Sequence, residues 1–500
     1  MTEVFLYLNI IKKLKKPFKT NDRGDIMLNK KTRIVCTIGP ATESDEMLRK
    51  LLLVGANVIR LNTSHGNPET HQKRVEQVKK IRKELNLPIA ILLDLEGPKM
   101  RTTNFSEDEV TLVEGEEFIL TSEEIIGDKT KVGLTYKGLV EDVKIGDKIL
   151  LNDGKVALEV IDTDGISIKT RILNTGAITH RRGINVPGVD IRLPALTDKD
   201  KLYIQKAVEW QVDYVAQSFV RKPEDIIQTK EMLSSLGEPD IPVIVKIETL
   251  QSIDHLEEII DQADGVMVAR GDLGVEVPVE KVPVLQKKII QLSNIKAKPV
   301  ITATQMLETM IESPVPTRAE ATDISNAILD GTDAVMLSAE TSVGKYPIEA
   351  VKVMVNVAKE TEEYMYSKGF ELNYSITQGG DSITNAISKA AFDTALDIGA
   401  KAIVATTYSG YTARAISRFR SKIDVVAASP REDIFHRMAL VWGVIPVVMP
   451  RFINTDTMFE KVSNIIKSLD IAQTGENIVV TASVPYGFTG KTNLLKIHKI

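Results

Sequence analysis

Cysteine is almost missing from this chain: Cys36 is the only one in 500 residues. An intrachain disulfide is therefore impossible and all-cysteine zinc or iron–sulfur centres are excluded, which fits a reducing compartment. Cys36 itself lies in an apolar run and reads as a small packed residue. Histidine is scarce too. The six, at positions 65, 71, 180, 255, 436 and 498, are scattered and give no zinc-ligand spacing. No excess of positive charge exists either: the formal net charge is -5, so no nucleic-acid partner is expected. A Walker-type Gly-x-x-x-x-Gly-Lys-Ser/Thr loop and the protein-kinase signature set are both lacking. The apolar stretch Val4 to Ile11 is too short to span a bilayer, and the lysine run from Lys12 to Lys19 follows it, the reverse of a secretory signal. Residues 1–30 read as an N-terminal arm, no membrane partner is expected, and the expected location is cytoplasmic.

What is present is an ordinary globular composition, 43% hydrophobic and 26% charged, in a chain too long for one core. A strand, a polar strand end and a helix recur, with strands beginning at residues 33, 56, 89, 214, 242, 265, 299 and 334. Eight such repeats predict an α/β fold built on a closed (β/α)₈ TIM barrel over residues 31–102 and 188–365; an open doubly wound sheet is the alternative. Residues 103–187 break the rhythm with short β-like runs and turn signals such as Asn152-Asp153-Gly154, which predicts a small β-barrel or sandwich inserted after the third strand and able to close as a lid. Residues 366–500 predict a C-terminal α/β domain with a mostly parallel sheet.

Both Val243 to Glu248 and Gly265 to Asp272 are apolar runs that finish in charge. Polar groups at the carboxyl end of a doubly covered strand must be satisfied by each other, by water or by a ligand. Glu248 and Asp272, from neighbouring strand ends, could chelate one hard divalent cation, Mg²⁺ or Mn²⁺, with Lys246 beside them as a fixed positive charge. Arg60, Asn62, Ser64, Asp94, Lys99, Arg101, Arg270, Thr304 and Glu340 stand at the same end, and several cations around a divalent ion point to an anionic, phosphorylated substrate. In the C-terminal unit the loop Thr406-Thr407-Tyr408-Ser409-Gly410-Tyr411-Thr412 joins a strand to a helix amino end and suits a phosphate. Gly487 to Thr492, with Gly487 and Gly490, is a second glycine-bearing polar loop.

Several blocks resemble the pyruvate kinase family: Arg60-Leu61-Asn62-Thr63-Ser64-His65-Gly66, Val245-Lys246-Ile247-Glu248, Met267 to Glu276, Ala303 to Glu308, Pro316 to Glu320 and Asp333 to Ser338. The likeness runs in order from about residue 31 to the end. It implies phosphoryl transfer from phosphoenolpyruvate to ADP, giving pyruvate and ATP in glycolysis. By this resemblance Glu248 and Asp272 would ligate the divalent ion, Lys246 would neutralise the transferring group and the enolate oxygen, and Arg60 would hold phosphoryl oxygens. Gly271 and Asp272 amides would receive the substrate carboxylate, and Thr304 would orient the proton donor to the enolate. Arg101, Asn62, His65 and the lid residue Asp153 would serve the nucleotide. The loop at Thr406, Thr407, Ser409, Gly410 and Thr412, faced by Gly487 and Gly490, would take a phosphorylated allosteric effector, and the assembly would be a homotetramer.

One block departs from the commonest pattern. Family members that need K⁺ usually carry Asp-Thr-Lys-Gly-Pro-Glu after the third strand, where this chain has Asp94-Leu95-Glu96-Gly97-Pro98-Lys99. The monovalent-cation region would use Asn62, Ser64, Asp94 and the Leu95 carbonyl, and the ammonium of Lys99 would replace the charge that K⁺ brings, so activity without K⁺ is expected. Two other readings stand beside this one: a Mg-dependent 2-oxo-acid aldolase or lyase on the same barrel, and a non-catalytic regulatory homologue.

Overall fold

A computed structural model of the chain describes residues 30–369, 382–484 and 491–500. The N-terminal arm up to residue 29, and Gly487 and Gly490 of the second glycine-bearing loop, lie outside the described residues. Eight parallel strands close into a barrel: β1 (Arg33–Thr37), β2 (Val58–Asn62), β3 (Ala90–Asp94), β4 (Tyr214–Gln217), β5 (Val243–Ile247), β6 (Gly265–Ala269), β7 (Val300–Ala303) and β8 (Ala334–Leu337). Closure is made by β1 against β8, with Arg33 opposite Ala334 and Cys36 opposite Leu337, and this removes the open-sheet alternative.

The continuous apolar runs follow from burial on both faces. Along β1, Val35 points into the barrel with Val58, Leu92, Ile244, Met267 and Ile301, while Ile34 and Cys36 pack outward beneath the helices. Cys36 is fully buried, and burial pushes its thiol well above the ordinary range, so it is a packing residue. Local chemistry starts the helices on time. Ser44 accepts the Met47 amide ahead of helix Asp45–Val54, Asn67 and Pro68 open Pro68–Leu85, and Thr197 with Asp200 and Thr317 with Glu320 form capping boxes.

The run Gly265 to Asp272 is not strand throughout. The sixth strand stops at Ala269, and Arg270–Glu276 is already helix, with the Arg270 guanidinium turned back onto the carbonyl oxygens of Ala303 and Thr304. The last barrel helix runs Pro347–Ser367. Its polar-looking end is buried: Glu362 accepts the amides of Lys31 and Thr32 at 2.8 and 2.6 Å.

The insert is a six-stranded sheet and a two-stranded ribbon wrapped as a partly open barrel around Phe118, Leu120, Val132, Ile149, Leu158 and Ile168. Most pairs are antiparallel; Glu117–Thr121 and Lys131–Gly133 run parallel. Its return link is tied to the barrel rim, where Arg221 donates to the Ile191 and Leu193 carbonyls and Gln251 to that of Val189.

The C-terminal unit is a five-stranded sheet in the order β11-β10-β9-β12-β13, built from β9 (Ala402–Thr406), β10 (Asp424–Ser429), β11 (Val444–Val448), β12 (Asn477–Ala482) and β13 (Leu494–Lys499). Only the β12 to β13 pair is antiparallel. It closes the floor of the barrel: Ala439 and Leu440 join the barrel's interior cluster, and Tyr214 donates to the Arg437 carbonyl at 2.8 Å.

Candidate active site at the carboxyl ends of the barrel strands

Lys246 and Glu248, two positions apart, project from the end of β5 on one face. The Lys246 ammonium lies 2.8 Å from Glu248 Oε1 and 3.5 Å from Asp94 Oδ1, and donates to the Ser218 hydroxyl at 2.7 Å. Burial pulls the pKa of this lysine down, but Asp94, Glu248 and Asp272 together more than offset it, so the group stays protonated well above the lysine range. Glu248 is fully buried. Its Oε2 accepts the Phe219 amide at 2.7 Å, while Oε1 faces Lys246 without an aligned hydrogen bond, as does Asp94 Oδ1. Burial, with the neighbouring Asp272 charge, raises the Glu248 pKa against the pull of Lys246. A buried carboxylate oxygen lacking an aligned donor, with the Asp272 charge near enough to be felt, is the donor a hard cation uses. The residues present thus fit a divalent ion. Among the described residues no group of three or more His, Cys, Asp or Glu side chains gathers as a metal cage.

Arg60, midway along the short β2, is held from two sides. Its Nε donates to Asp94 Oδ2 at 2.6 Å and its Nη1 to Thr37 Oγ1 at 2.9 Å. Burial works against ionised Asp94, yet Lys246 and Arg60 bring its carboxyl below the usual range. Thr304, just after β7, has φ +72°, a left-handed conformation that a β-branched residue avoids and that collects at functional sites. The twist turns its hydroxyl to accept the Gly271 amide at 2.8 Å and to donate to the Ala303 carbonyl at 2.6 Å. Thr304 therefore sits over the first turn of the helix that carries Gly271 and Asp272. Arg270 is drawn away to Asp323 at 2.7 Å, and Glu340 accepts the amides of Leu307 and Ser338; both act as structural ties.

Lys99 crosses from the barrel toward the lid. Its ammonium is 3.7 Å from Asp272 Oδ1, and its side chain runs beside Gly183, where a Cβ would meet Lys99 Cε at 3.1 Å and Asp153 Oδ1 at 3.8 Å. Arg101 donates to Glu96 at 3.1 Å. The insert also reaches the helix bearing Asp272, through Asn185 to Glu276 at 2.8 Å. Asn62 accepts the Ser64 amide, the Leu95 carbonyl accepts the Ser218 hydroxyl at 2.7 Å, and His65 is exposed. Ser218 was missed by sequence reasoning. It stands at the end of apolar β4 as Lys246 does at the end of β5, so the strand-end rule that found the others would have found it.

In the C-terminal unit Gly410, with φ +80°, leads into the helix Tyr411–Ser417. The Thr407 hydroxyl accepts the Gly410 amide at 2.9 Å, Thr406 donates to the Thr481 carbonyl, and Thr412 and Thr492 share a hydrogen bond of 2.6 Å. Ser409 is exposed.

A closed parallel barrel with acids and fixed cations gathered at its carboxyl end, a β insert above and an α/β unit below defines a barrel enzyme suited to anionic substrates. Two family models match it: "Pyruvate kinase, barrel domain" over residues 29–351 and "Pyruvate kinase, alpha/beta domain" over 385–498. The chain is 44% identical over 477 residues to a pyruvate kinase of Clostridium perfringens, covering 94% of this chain and 100% of that one. It is 45% identical over 469 residues to one of Thermotoga maritima, covering 94% and 99%. A crystal structure of a pyruvate kinase from Cryptosporidium parvum superimposes with a TM-score of 0.88 at 32% identity, over 96% of this chain and 98% of the other. The chain belongs to the pyruvate kinase family.

Proposed function

We propose that this enzyme transfers the phosphoryl group of phosphoenolpyruvate to ADP, giving pyruvate and ATP, at the site where Lys246, Glu248, Asp272, Arg60 and Thr304 converge. The observation that carries the assignment of roles is the pairing of buried Glu248 Oε1 with the Lys246 ammonium at 2.8 Å. Glu248 and Asp272 would hold Mg²⁺ or Mn²⁺, which when bound would neutralise charge on the substrate. Lys246, kept protonated by Asp94 and Glu248, supplies a permanent positive charge for an oxygen that becomes more negative during transfer. Arg60, fixed by Asp94 and Thr37, presents the rest of its guanidinium to phosphoryl oxygens. The Asp272 amide receives the substrate carboxylate, joined by the Gly271 amide once that group leaves the Thr304 hydroxyl it bonds at 2.8 Å. The Thr304 hydroxyl is too weak an acid to give its own proton, so it orients the donor to the enolate carbon. Asn62, His65, Arg101 and Asp153 are assigned to the nucleotide.

Activity without K⁺ belongs to the same proposal. Both carboxylate oxygens of Asp94 already face protein cations, Arg60 and Lys246, the Leu95 carbonyl is taken by Ser218, and Lys99 adds an ammonium beside Asp272. A further monovalent cation would meet repulsion and few free donors. The loop Thr406–Thr412 is assigned to a phosphorylated effector, the division into barrel, lid and regulatory unit is kept at 31–102 with 188–365, 103–187 and 366–500, and a cytoplasmic homotetramer is the proposed assembly. No described helix is long and apolar enough to cross a membrane. The aldolase reading gives no role to the lid or the C-terminal unit. ATP formation from phosphoenolpyruvate and ADP in a coupled assay tests the reaction: none in the wild-type chain at saturating Mg²⁺ would overturn it. Titration of sugar phosphates and nucleotides against substrate half-saturation tests the effector loop.

A further inference from the structure

On the opposite side of the barrel from the catalytic residues, a small cavity separates the barrel floor from the helix that follows the phosphate-type loop. Its lining includes Lys298, Arg414, Arg418 and Arg420, and one carboxylate, Asp333. That carboxylate is spent: it pairs with Arg420 at 3.0 Å and accepts the amides of Val300 and Trp442. The other three cations reach no carboxylate, only neutral oxygens and, for Arg414 and Arg418, the rings of Tyr411 and Phe419 with centroids at 5.7 and 5.5 Å. Lys298 donates to the Ala263 carbonyl, Arg418 to the Ile295 carbonyl and the Asn385 amide oxygen, and Arg414 to the Ser409 carbonyl at a long 3.4 Å. Asp261 and Asp264 lie near enough to support Lys298, yet neither lines the cavity. Arg418 and Arg420 are each 3% exposed, and the Nε groups of Arg414, Arg418 and Arg420 are buried without a hydrogen-bond partner. Burial holds the Arg418 guanidinium down at about 10, and burial together with Arg414 lowers Lys298.

Native proteins rarely leave a buried donor unpaired, and three guanidinium N–H groups around an excess of positive charge call for an acceptor that carries negative charge. The cavity measures about 10 Å³, which is room for one water-sized group. A nucleotide or sugar phosphate does not fit; one oxygen of an oxyanion matches this size, and a halide, larger than a water, enters only as the arginine side chains give way slightly. We propose that this cavity is a binding site for one compact inorganic anion, held by Arg414 and Arg418 of the C-terminal unit and Lys298 of the barrel. The anion cancels like-charge repulsion between the two units and ties the helix after the Thr406–Thr412 loop to the barrel floor. This site is separate from the catalytic one and stands whether or not the roles assigned there hold.

Crystals of the full chain soaked in sodium bromide should show an anomalous peak between Arg418, Arg414 and Lys298. In solution, the thermal midpoint measured at fixed ionic strength should rise when gluconate is replaced by bromide or by sulfate. In Arg414→Gln and in Lys298→Gln, neither of which removes a carboxylate ion pair of the cavity, the apparent anion dissociation constant should rise at least tenfold. Bromide and sulfate arms separate a halide site from one that admits an oxyanion oxygen, and a response to either supports the site. No anomalous peak there at saturating bromide, no midpoint response to either anion, or a response unchanged in either variant would overturn the proposal.

Discussion

The Lys99 ammonium lies 3.7 Å from the Asp272 carboxylate, joining the segment after β3 to the first turn of the helix after β6. The contact carries a fixed positive charge into the edge of the catalytic pocket. Lys99→Glu should therefore make the rate depend on K⁺, while the wild-type rate should change little between KCl and a large organic cation at matched ionic strength. A strong activation of the wild-type enzyme by KCl would refute the role given to Lys99.

Lys246→Met removes the cation that Glu248 and Asp94 share. Loss of one preorganised electrostatic group in a dry site costs on the order of 10²–10³ in kcat, and that fall is expected here with a smaller change in KM for ADP. A variant within tenfold of wild-type kcat would show that Lys246 is structural.

Thr304 holds φ +72°, where glycine is at ease and other residues pay about 1–2 kcal/mol. Two substitutions separate strain from chemistry. Thr304→Ala and Thr304→Gly both lose the hydroxyl and should both lower kcat, while the glycine variant should be the more stable of the two by about 1 kcal/mol. Equal stability in urea unfolding would mean that the backbone is not strained.

His436 gives a pH signature unrelated to catalysis. Burial, with the nearby Arg82 and Lys79 charges, lowers its pKa from 6.5 to about 3 against the opposing pull of Asp433. Because the folded value lies below the unfolded one, the unfolded chain takes up the proton first as pH falls. Stability is then lost between pH 6.5 and about 3, by at most about 1.4 kcal/mol per pH unit from this group. His436→Gln should flatten that part of the stability profile, read as the difference in urea midpoint between pH 7 and pH 4 for the two proteins. Parallel profiles would rule out the histidine as the source.

Much of the site could be read before any coordinates, and for one reason: a short strand buried on both faces keeps its charges toward its carboxyl half, where they meet each other or a ligand. That logic marked Arg60, Asp94, Lys246, Glu248 and Asp272. It treated Arg270 and Glu340 alike, although their side chains turn to Asp323 and to backbone amides, because position along a strand does not specify a rotamer or a partner. Applied to charges alone it passed over Ser218, a neutral strand-end residue that links the Lys246 ammonium to the Leu95 carbonyl.

Periodicity and punctuation in the sequence determined which segments are strands and helices, that an all-β piece interrupts the third repeat, and which polar residues would crowd one end, since each follows from forces acting over a few neighbouring residues. The tertiary structure alone decided that β1 meets β8 and closes the ring, that Ala439 and Leu440 plug its floor, that Thr304 is twisted over Gly271, and that three cations meet around Arg418 with no free carboxylate. Those outcomes join residues far apart in the chain, and they depend on packing and on charges that only the complete fold brings together.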